Sequence, residues 1–113
     1  MLIVDDHDGF RAVARALLER DGFVVVAEAS DGEGALVEAE RVAPDLVLLD
    51  VHLPDVDGFE VSRRLARLPS PPVVVLTSSR PIADLRSRVN ESPAAGFVAK
   101  DRLSGAALTT LAW

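Results

Sequence analysis

Five short apolar segments alternate with segments of helical pattern, and this rhythm constrains the fold more than any other feature of the sequence. The apolar segments cover residues 2–4, 23–29, 46–49, 73–76 and 97–99. They are continuous rather than alternating runs, which is typical of strands that are covered on both faces. Strands that alternate with helices predict βαβ units, and therefore an α/β fold with a parallel sheet.

Five segments between and after these strands have the apolar spacing or the boundary residues of helices. They begin near residues 9, 32, 58, 81 and 104, and they end at or before Gly22, Pro44, Pro69, Pro93 and Ala112. The residues predicted to face the sheet are Phe10, Val13, Ala14, Leu17 and Leu18 in the first helix, Leu36, Ala39 and Ala43 in the second, Phe59, Val61 and Leu65 in the third, and Ile82, Leu85 and Val89 in the fourth.

Length and composition limit what such a fold can do. The 113 residues are enough for one domain, predicted to cover 1–113, and 49% of them are hydrophobic. The absence of cysteine excludes disulfides and zinc-thiolate sites and fits a reducing compartment. A net charge of -6 argues against direct nucleic acid binding, which depends on Lys and Arg contacts to phosphates. No apolar stretch is long enough for a membrane span and no secretory signal is recognisable, so we expect a cytoplasmic protein.

Polar residues stand where the predicted strands end, and ligands of open parallel sheets bind beyond the carboxyl ends of the strands. These residues are Asp5 and Asp6 after the first strand, Asp50 after the third, Thr77 to Ser79 after the fourth and Lys100 after the fifth. Each alone has an ordinary explanation: the acids and the threonine can cap turns or helices, and the lysine can be solvated. Their meeting at one edge of one sheet favours a functional site.

The residue types at this edge indicate phosphoryl chemistry. Clustered carboxylates repel one another, so either a pKa rises or a cation enters, and hard oxygen ligands suit Mg²⁺. Lys100 supplies a compact positive charge and Thr77 a hydroxyl, both suited to phosphoryl oxygens. Asp50 has the character of the aspartates that form phosphoaspartate intermediates.

Four motifs resemble those of response-regulator receiver domains of two-component signalling, the CheY-like superfamily, over essentially the whole chain. They are IVDDH, LLDVHLPDVDG, VVLTSS and AAGFVAKD. The pair Lys100-Asp101 replaces the lysine and proline of many receivers and is similar to receivers of the LuxR-type helix-turn-helix branch. The resemblance implies a flavodoxin-like, three-layer α/β/α sandwich with five parallel strands in the order 2-1-3-4-5.

The resemblance also implies a role for each residue of the edge. Asp50 would be the phosphoacceptor, and Thr77 and Lys100 would contact the phosphoryl group. The cofactor would be Mg²⁺ (or Mn²⁺), held by Asp6, Asp50 and the main-chain carbonyl of His52, and by Asp5 through water. Thr77 and Phe97 would form a rotameric switch that alters the face made by the fourth helix, fifth strand and fifth helix.

Partners follow from the same resemblance. The phosphoryl donor would be a sensor histidine kinase or a phosphotransfer protein, and a homodimer could form through the switch face. The output partner or domain stays unidentified: the chain can be a stand-alone receiver or the front part of a transcription regulator. We expect His7 to be an exposed loop residue, and the side chains of His52 and Ser79 to lie where the family tunes the lifetime of the phosphoryl group.

Two alternatives stay open at this level. One is an atypical receiver that acts only as a protein-interaction module. The other is a phosphatase with an aspartyl nucleophile, although such enzymes usually carry an acid two residues after the nucleophile, where this chain has His52. The receiver interpretation implies no enzyme activity beyond the chain's own phosphotransfer and dephosphorylation.

Overall fold

A parallel sheet forms the middle layer of the computed structural model, which describes all 113 residues. The strands are β1 (Leu2–Val4), β2 (Ala27–Ala29), β3 (Leu46–Asp50), β4 (Val73–Ser78) and β5 (Gly96–Ala99). The helices are α1 (Asp8–Arg20), α2 (Gly32–Val42), α3 (Gly58–Leu65), α4 (Arg86–Glu91) and α5 (Gly105–Ala112). Every strand pair is parallel and the order is β2-β1-β3-β4-β5, which confirms the predicted α/β/α fold and strand order.

Two apolar cores lie on opposite faces of the sheet. Successive residues of β3 alternate between them, as the pleat of a strand requires: Val47 and Leu49 belong to one core, Leu46 and Leu48 to the other. The first core is covered by α2, α3 and the segment around α4, and the second by α1 and α5. All five residues of β3 are buried, so this strand is a rigid mount for the acid at its end.

The second strand is shorter than the apolar run predicts. Only residues 27–29 pair with β1, whereas Val24 is 72% and Val26 48% exposed on either side of the buried Val25. β2 is an edge strand of the sheet, and the segment before it is covered on one side only. The prediction of a strand covered on both faces was therefore wrong for residues 23–26.

Two of the predicted inward residues in the first two helices point to solvent. Val13 is 65% exposed because it lies at the margin of the α1 stripe, whose centre is formed by Ala14 and Leu18. Ala43 is exposed because it is the residue after α2, with a left-handed φ of 44°, and Ala35 takes the buried place. The inward face predicted for α3 is confirmed.

The fourth helical segment is broken rather than continuous. A 3-10 turn covers Ile82–Asp84, Leu85 departs from helical geometry with a φ of -122°, and α4 follows with six residues. Leu85 and Val89 are buried as predicted. Ser92 is extended, as expected of a residue that precedes a proline, and this ends the helix.

None of the helices combines the length and hydropathy of a membrane-spanning segment.

Candidate functional site

Three carboxylates meet at the carboxyl edge of the sheet. β1 and β3 are neighbours with Val4 paired to Leu49, so Asp5 and Asp50 leave the sheet side by side. Asp5 is fully buried and Asp50 is 2% exposed, whereas the side chain of Asp6 is 35% exposed. The ligand atoms of Asp5, Asp6, His7 and Asp50 all lie within 4.8 Å of one another. The topology has therefore brought Asp50 to two acids that lie 44 and 45 residues before it in the chain.

Lys100 reaches these acids from the end of β5. Its Nζ lies 2.6 Å from Asp5 Oδ2 and 3.4 Å from Asp50 Oδ2, and its side chain is 15% exposed. Burial alone would lower the pKa of Lys100, but the hydrogen bond to Asp5 and the charges of Asp50 and Asp5 outweigh it, so the pKa is raised. The lysine is therefore a firmly charged group between the two buried carboxylates.

Asp50 holds its charge at an energetic cost. Burial raises its pKa most, the negative charge of Asp5 raises it further, and the backbone N–H of His52 and the Lys100 ammonium act in the opposite direction. The His52 N–H donates to Asp50 Oδ1 at 3.1 Å, which orients one oxygen of the carboxylate. A carboxylate held by few donors and destabilised by burial is a better nucleophile than a solvated one.

Gly58 keeps the loop after β3 close to the strand. Its N–H donates to the carbonyl of Val51 at 2.8 Å. A Cβ at Gly58 would lie 2.3 Å from the main-chain oxygen of Asp50 and 2.8 Å from the Cα of Val51, and both of these are backbone atoms that cannot yield easily. The glycine is therefore required by this close approach, and it fixes the position from which Asp50 projects.

Thr77 stands opposite Asp50 on the neighbouring strand. The two residues are register partners in β3 and β4, and the N–H of Val51 donates to the Thr77 carbonyl at 3.0 Å. Thr77 is fully buried, and its Oγ1 has no hydrogen-bond partner. A buried hydroxyl without a partner is costly and unusual, which makes it a candidate for binding an oxygen supplied by a ligand.

The sequence analysis did not predict the contacts that His7 makes with the acids. Its side chain is 69% exposed, as expected of a loop residue, but Nδ1 lies 3.1 Å from Asp5 Oδ1 and 3.1 Å from Asp6 Oδ1. The two acids precede it directly in the sequence, so this adjacency was the available signal. His52, by contrast, is exposed, and only its backbone contacts the site.

Phe10 also lies beside the cluster, and no sequence signal linked it to Lys100. The Lys100 ammonium lies 4.5 Å from the centre of the Phe10 ring, within the range of a cation-π contact. The half-buried ring also packs against the core beneath α1 and α5. The lysine is thus held by a carboxylate on one side and an aromatic face on another.

Phe97 lines a groove to which none of the three clustered acids contributes. The groove has a volume of about 900 Å³ and opens between the segment before α4, β5 and α5. Phe97 is half-buried there, in the strand next to β4, and its register partner is Leu76, the residue before Thr77. Ser79 lines the same groove and is exposed. The predicted switch pair therefore lies on adjacent strands, with the aromatic ring facing an open space.

The donor set fits a divalent cation of the hard, oxygen-binding type. Three carboxylates face one ammonium group, so the cluster has an excess of negative charge, and each acid offers an oxygen within the 4.8 Å span. Such a set suits Mg²⁺ or Mn²⁺, which are bound through carboxylates and keep several waters.

Comparisons with known proteins point to one family. The family model described as "Response regulator receiver domain" matches residues 1–111. The signal receiver domain of NarL from Mycobacterium tuberculosis, named as a response regulator, superposes with a TM-score of 0.89 at 31% identity, over 98% of this chain and 93% of that one.

Two longer relatives have different names. A protein of Pseudomonas aeruginosa named as a transcriptional regulator is 46% identical over 101 residues, which are 88% of this chain and 48% of that protein. Protein-glutamate methylesterase/protein-glutamine glutaminase 6 of Anaeromyxobacter dehalogenans is 44% identical over 109 residues, which are 95% of this chain and 31% of that protein. The chain spans half or less of the length of these two relatives.

Proposed function

Because the chain belongs to the response regulator receiver domain family, we propose that it accepts a phosphoryl group on the carboxylate of Asp50 and acts as a phosphorylation-dependent switch. The receiver function of two-component systems comes with the family. The assignment of individual residues to steps is our proposal, and so are the donor and the output.

One observation carries the assignment of Asp50. It is the only one of the three acids that has a lysine ammonium at 3.4 Å and, across the strand pair, a buried threonine hydroxyl without a partner. Asp5 shares the lysine but leaves β1, whose neighbours are β2 and β3, so it has no such threonine opposite. A phosphoryl group on Asp50 would place oxygens near both groups and would give Thr77 the partner that it lacks.

The transfer would proceed by in-line attack. An oxygen of the Asp50 carboxylate forms a bond to phosphorus while the P–N bond of a phosphohistidine breaks, and the electron pair of that bond returns to the imidazole. Lys100 balances negative charge on the transferring group, and the Thr77 hydroxyl donates a hydrogen bond to a phosphoryl oxygen. Water later attacks the phosphorus of the acyl phosphate and restores the carboxylate.

A divalent cation would be held by Asp6, Asp50 and the His52 carbonyl, with Asp5 acting through water. Bound there, Mg²⁺ or Mn²⁺ would supply positive charge to the phosphoryl oxygens. The excess of carboxylates over ammonium groups at this edge supports the proposal, and the His52 N–H bond to Asp50 keeps the residue that carries the carbonyl next to the site.

Phosphorylation would be transmitted through Thr77 and Phe97. The hydroxyl of Thr77 would turn toward the phosphoryl group, and Phe97 would move from the groove into the space that becomes free. This change would remodel the face formed by α4, β5 and α5, which would contact an output partner, an output domain or a second copy of the chain.

The donor in this proposal is a sensor histidine kinase or a phosphotransfer protein. We place the reaction in the cytoplasm, because a sequence without cysteine suits a reducing compartment. Since one relative is named as a transcriptional regulator and another as a methylesterase, similarity to them does not select the output of this chain.

Incubation with acetyl phosphate and Mg²⁺, followed by intact mass spectrometry, tests the proposal. We expect one phosphoryl adduct on the wild-type chain and none on Asp50→Asn. Asp45→Asn is the matched control, because Asp45 is an exposed acid at the opposite end of the same strand. The proposal fails if the wild type takes up no phosphate or if Asp50→Asn takes up as much.

The same samples separate the alternatives. Absence of an adduct would favour a receiver that only binds partners. Multiple turnover of phosphate monoesters would favour an aspartyl phosphatase, in which the exposed side chain of His52 would stand at the position of the general acid.

A further inference from the structure

The imidazole of His7 is the polar group at the sheet edge that the proposed function leaves unused. Its Nδ1 lies 3.1 Å from one oxygen of Asp5 and 3.1 Å from one oxygen of Asp6. The N–H of His7 also donates to Asp5 Oδ1 at 2.9 Å, so both the backbone and the ring are held against the acids. The ring is therefore placed at the cluster although much of it is exposed.

The distances match those between neighbouring ligands of one small cation. Mg²⁺ and cations of similar size take octahedral ligands at ~2.1 Å, so two ligands at a right angle are separated by about 3.0 Å. Nδ1 keeps this separation from Asp6 Oδ1, a direct ligand in the proposed site, while Asp5, which would act through water, holds the ring in place. Asp50 completes a set whose ligand atoms lie within 4.8 Å of one another. This span exceeds the separation of about 4.2 Å between opposite ligands of such a cation, so the side chains would move together by about 0.6 Å to bind one cation.

The chemistry of the ring allows this ligation. Nδ1 binds a cation only when the ring proton is on Nε2. Nε2 has no protein partner, and the 69% exposed ring can direct it to water. The same contacts also fit a hydrogen bond from an Nδ1–H group to a carboxylate. Ligation by Nδ1 would make the site prefer nitrogen-binding cations, whereas a hydrogen bond would not.

We propose that His7 Nδ1 is a direct ligand of the divalent cation held by Asp6 and Asp50, and that it shifts the preference of the site from Mg²⁺ toward nitrogen-binding cations such as Co²⁺. The inference rests on the metal site of the proposed function. Imidazole suits first-row transition metals, whereas Mg²⁺ prefers oxygen and releases its water reluctantly. With the His52 carbonyl as the fourth protein ligand, two positions of an octahedron stay available for water or a phosphoryl oxygen.

Calorimetric titration with Mg²⁺ and with Co²⁺ tests this. We expect His7→Ala to lose about tenfold or more in Co²⁺ affinity while its Mg²⁺ affinity stays within about twofold, because the two cations differ mainly in their affinity for nitrogen. His52→Ala is the matched control: it removes the only other imidazole of the chain and keeps the main-chain carbonyl. Its ratio of Co²⁺ to Mg²⁺ affinity should equal that of the wild type.

Pulsed electron paramagnetic resonance of bound Mn²⁺ gives an independent readout. Coupling to an imidazole ¹⁴N should be present in the wild type and in His52→Ala and should be lost in His7→Ala. If both cations bind and His7→Ala changes neither the affinity ratio nor the nitrogen coupling, the inference is wrong and the metal site stands. If neither cation binds the wild-type chain, the metal site and this inference both fail.

Discussion

Lys100 is unequally shared between the two buried carboxylates. It lies 0.8 Å closer to Asp5 than to Asp50, at 2.6 Å against 3.4 Å, and the Phe10 ring approaches it at 4.5 Å. A lysine has four rotatable stem bonds, so its ammonium needs contacts to stay in one place. The aromatic face offers attraction without adding another negative charge, and it leaves the Asp50 carboxylate, the proposed phosphoacceptor, free to react.

Phe10→Leu should slow phosphorylation while keeping the fold. Cation-π contacts contribute about 0.5–2 kcal/mol. Without the ring the ammonium would be less well positioned, and loss of part of this energy should lower the phosphorylation rate about two- to tenfold. The rate of adduct formation from acetyl phosphate measures this. Phe23→Leu is the control, since Phe23 packs against the same core and has no contact with Lys100. Phe10→Tyr should restore the rate, and an equal loss in the two leucine variants would contradict the positioning role.

Asp50 should reduce the stability of the chain at neutral pH. Its pKa is raised in the folded state by burial and by Asp5, so the stability linked to its protonated form is present below the unfolded value of 3.8 and is lost as pH rises through the folded value. Asp50→Asn should therefore be about 0.5–2 kcal/mol more stable than the wild type at pH 7.5 in the absence of divalent cations. Urea unfolding measures the difference in free energy of unfolding between the two proteins, which should become smaller as the pH is lowered toward 4.5. If Asp50→Asn is less stable than the wild type at pH 7.5, the prediction is wrong.

At the scale of elements, the prediction from sequence succeeded where one periodicity dominates. β3 and α3 were predictable because every residue of β3 is apolar up to Asp50, and the inward residues of α3 are bounded by an N-capping aspartate, Asp57. β2 was predicted too long because an apolar run does not reveal that its strand lies at the edge of the sheet. The broken segment before α4 has apolar residues at helical spacing, and that spacing does not reveal that Leu85 departs from helical geometry.

The candidate site shows the same division. The residues at the strand ends were predictable because a parallel sheet brings all carboxyl ends to one edge. Contacts that involve side chains of the helices could not be predicted, because they depend on distances between elements that no local pattern encodes. The Lys100–Phe10 contact and the tie between Arg88 and α3 are of this kind.

Asp55 joins the loop after β3 to the first turn of α2. Its carboxylate accepts from the N–H of Gly32 at 2.8 Å and of Glu33 at 3.0 Å, and these hydrogen bonds lower its pKa. Asp55→Ala should cost about 1 kcal/mol, as the loss of a helix cap does. Because the folded pKa is depressed, this contribution is present above the unfolded value of 3.8 and is lost as pH falls through the folded value.

Urea unfolding of the wild type, Asp55→Ala and Asp55→Asn between pH 7 and pH 3.5 measures this. Asparagine keeps one acceptor oxygen and does not titrate, so its stability should lie between the other two at pH 7. The difference between wild type and Asp55→Ala should begin to shrink below about pH 4. A difference that is constant over the whole range would exclude the charge as its source.

Arg88 anchors the short helix α4 to α3. Its guanidinium lies 2.8 Å from Asp57 Oδ2 and 4.2 Å from the centre of the Phe59 ring, and Asp57 also caps α3 by accepting from the N–H of Glu60. Arg88→Gln should let α4 open more often, with amide exchange in residues 86–91 about two- to fivefold faster, because contacts of this kind contribute about 0.5–1 kcal/mol. Hydrogen exchange followed by mass spectrometry measures it. Arg86→Gln, a change at an exposed position of the same helix, should leave the exchange rates unaltered. If it accelerates exchange as much as Arg88→Gln does, Arg88 does not anchor the helix.

For the whole molecule, the acidic edge is a destabilising feature carried by a well-packed body. The chain has 18 acids against 12 basic residues, and two of those acids are buried side by side at the end of strands that are themselves buried. The two cores on either side of the sheet hold these strands in place whether or not the edge is neutralised. The carboxylates at the edge therefore stay close together despite their repulsion. A bound cation should reduce this repulsion and so stabilise the folded chain.

Mg²⁺ should therefore stabilise the whole domain, and only through the acids of the edge. A ligand that binds the folded state alone at ten times its Kd adds about 1.4 kcal/mol, which for a chain of this size raises Tm by about 5 °C. Thermal unfolding with and without MgCl₂ measures the shift. Asp6→Asn should lose most of it, because it removes a half-exposed carboxylate of the cluster without disturbing the core. NaCl at matched ionic strength should not reproduce the shift, since screening alone weakens the repulsion only partly at buried groups. A rise of equal size with NaCl, or in Asp6→Asn, would show that general screening and not a site at the sheet edge is responsible.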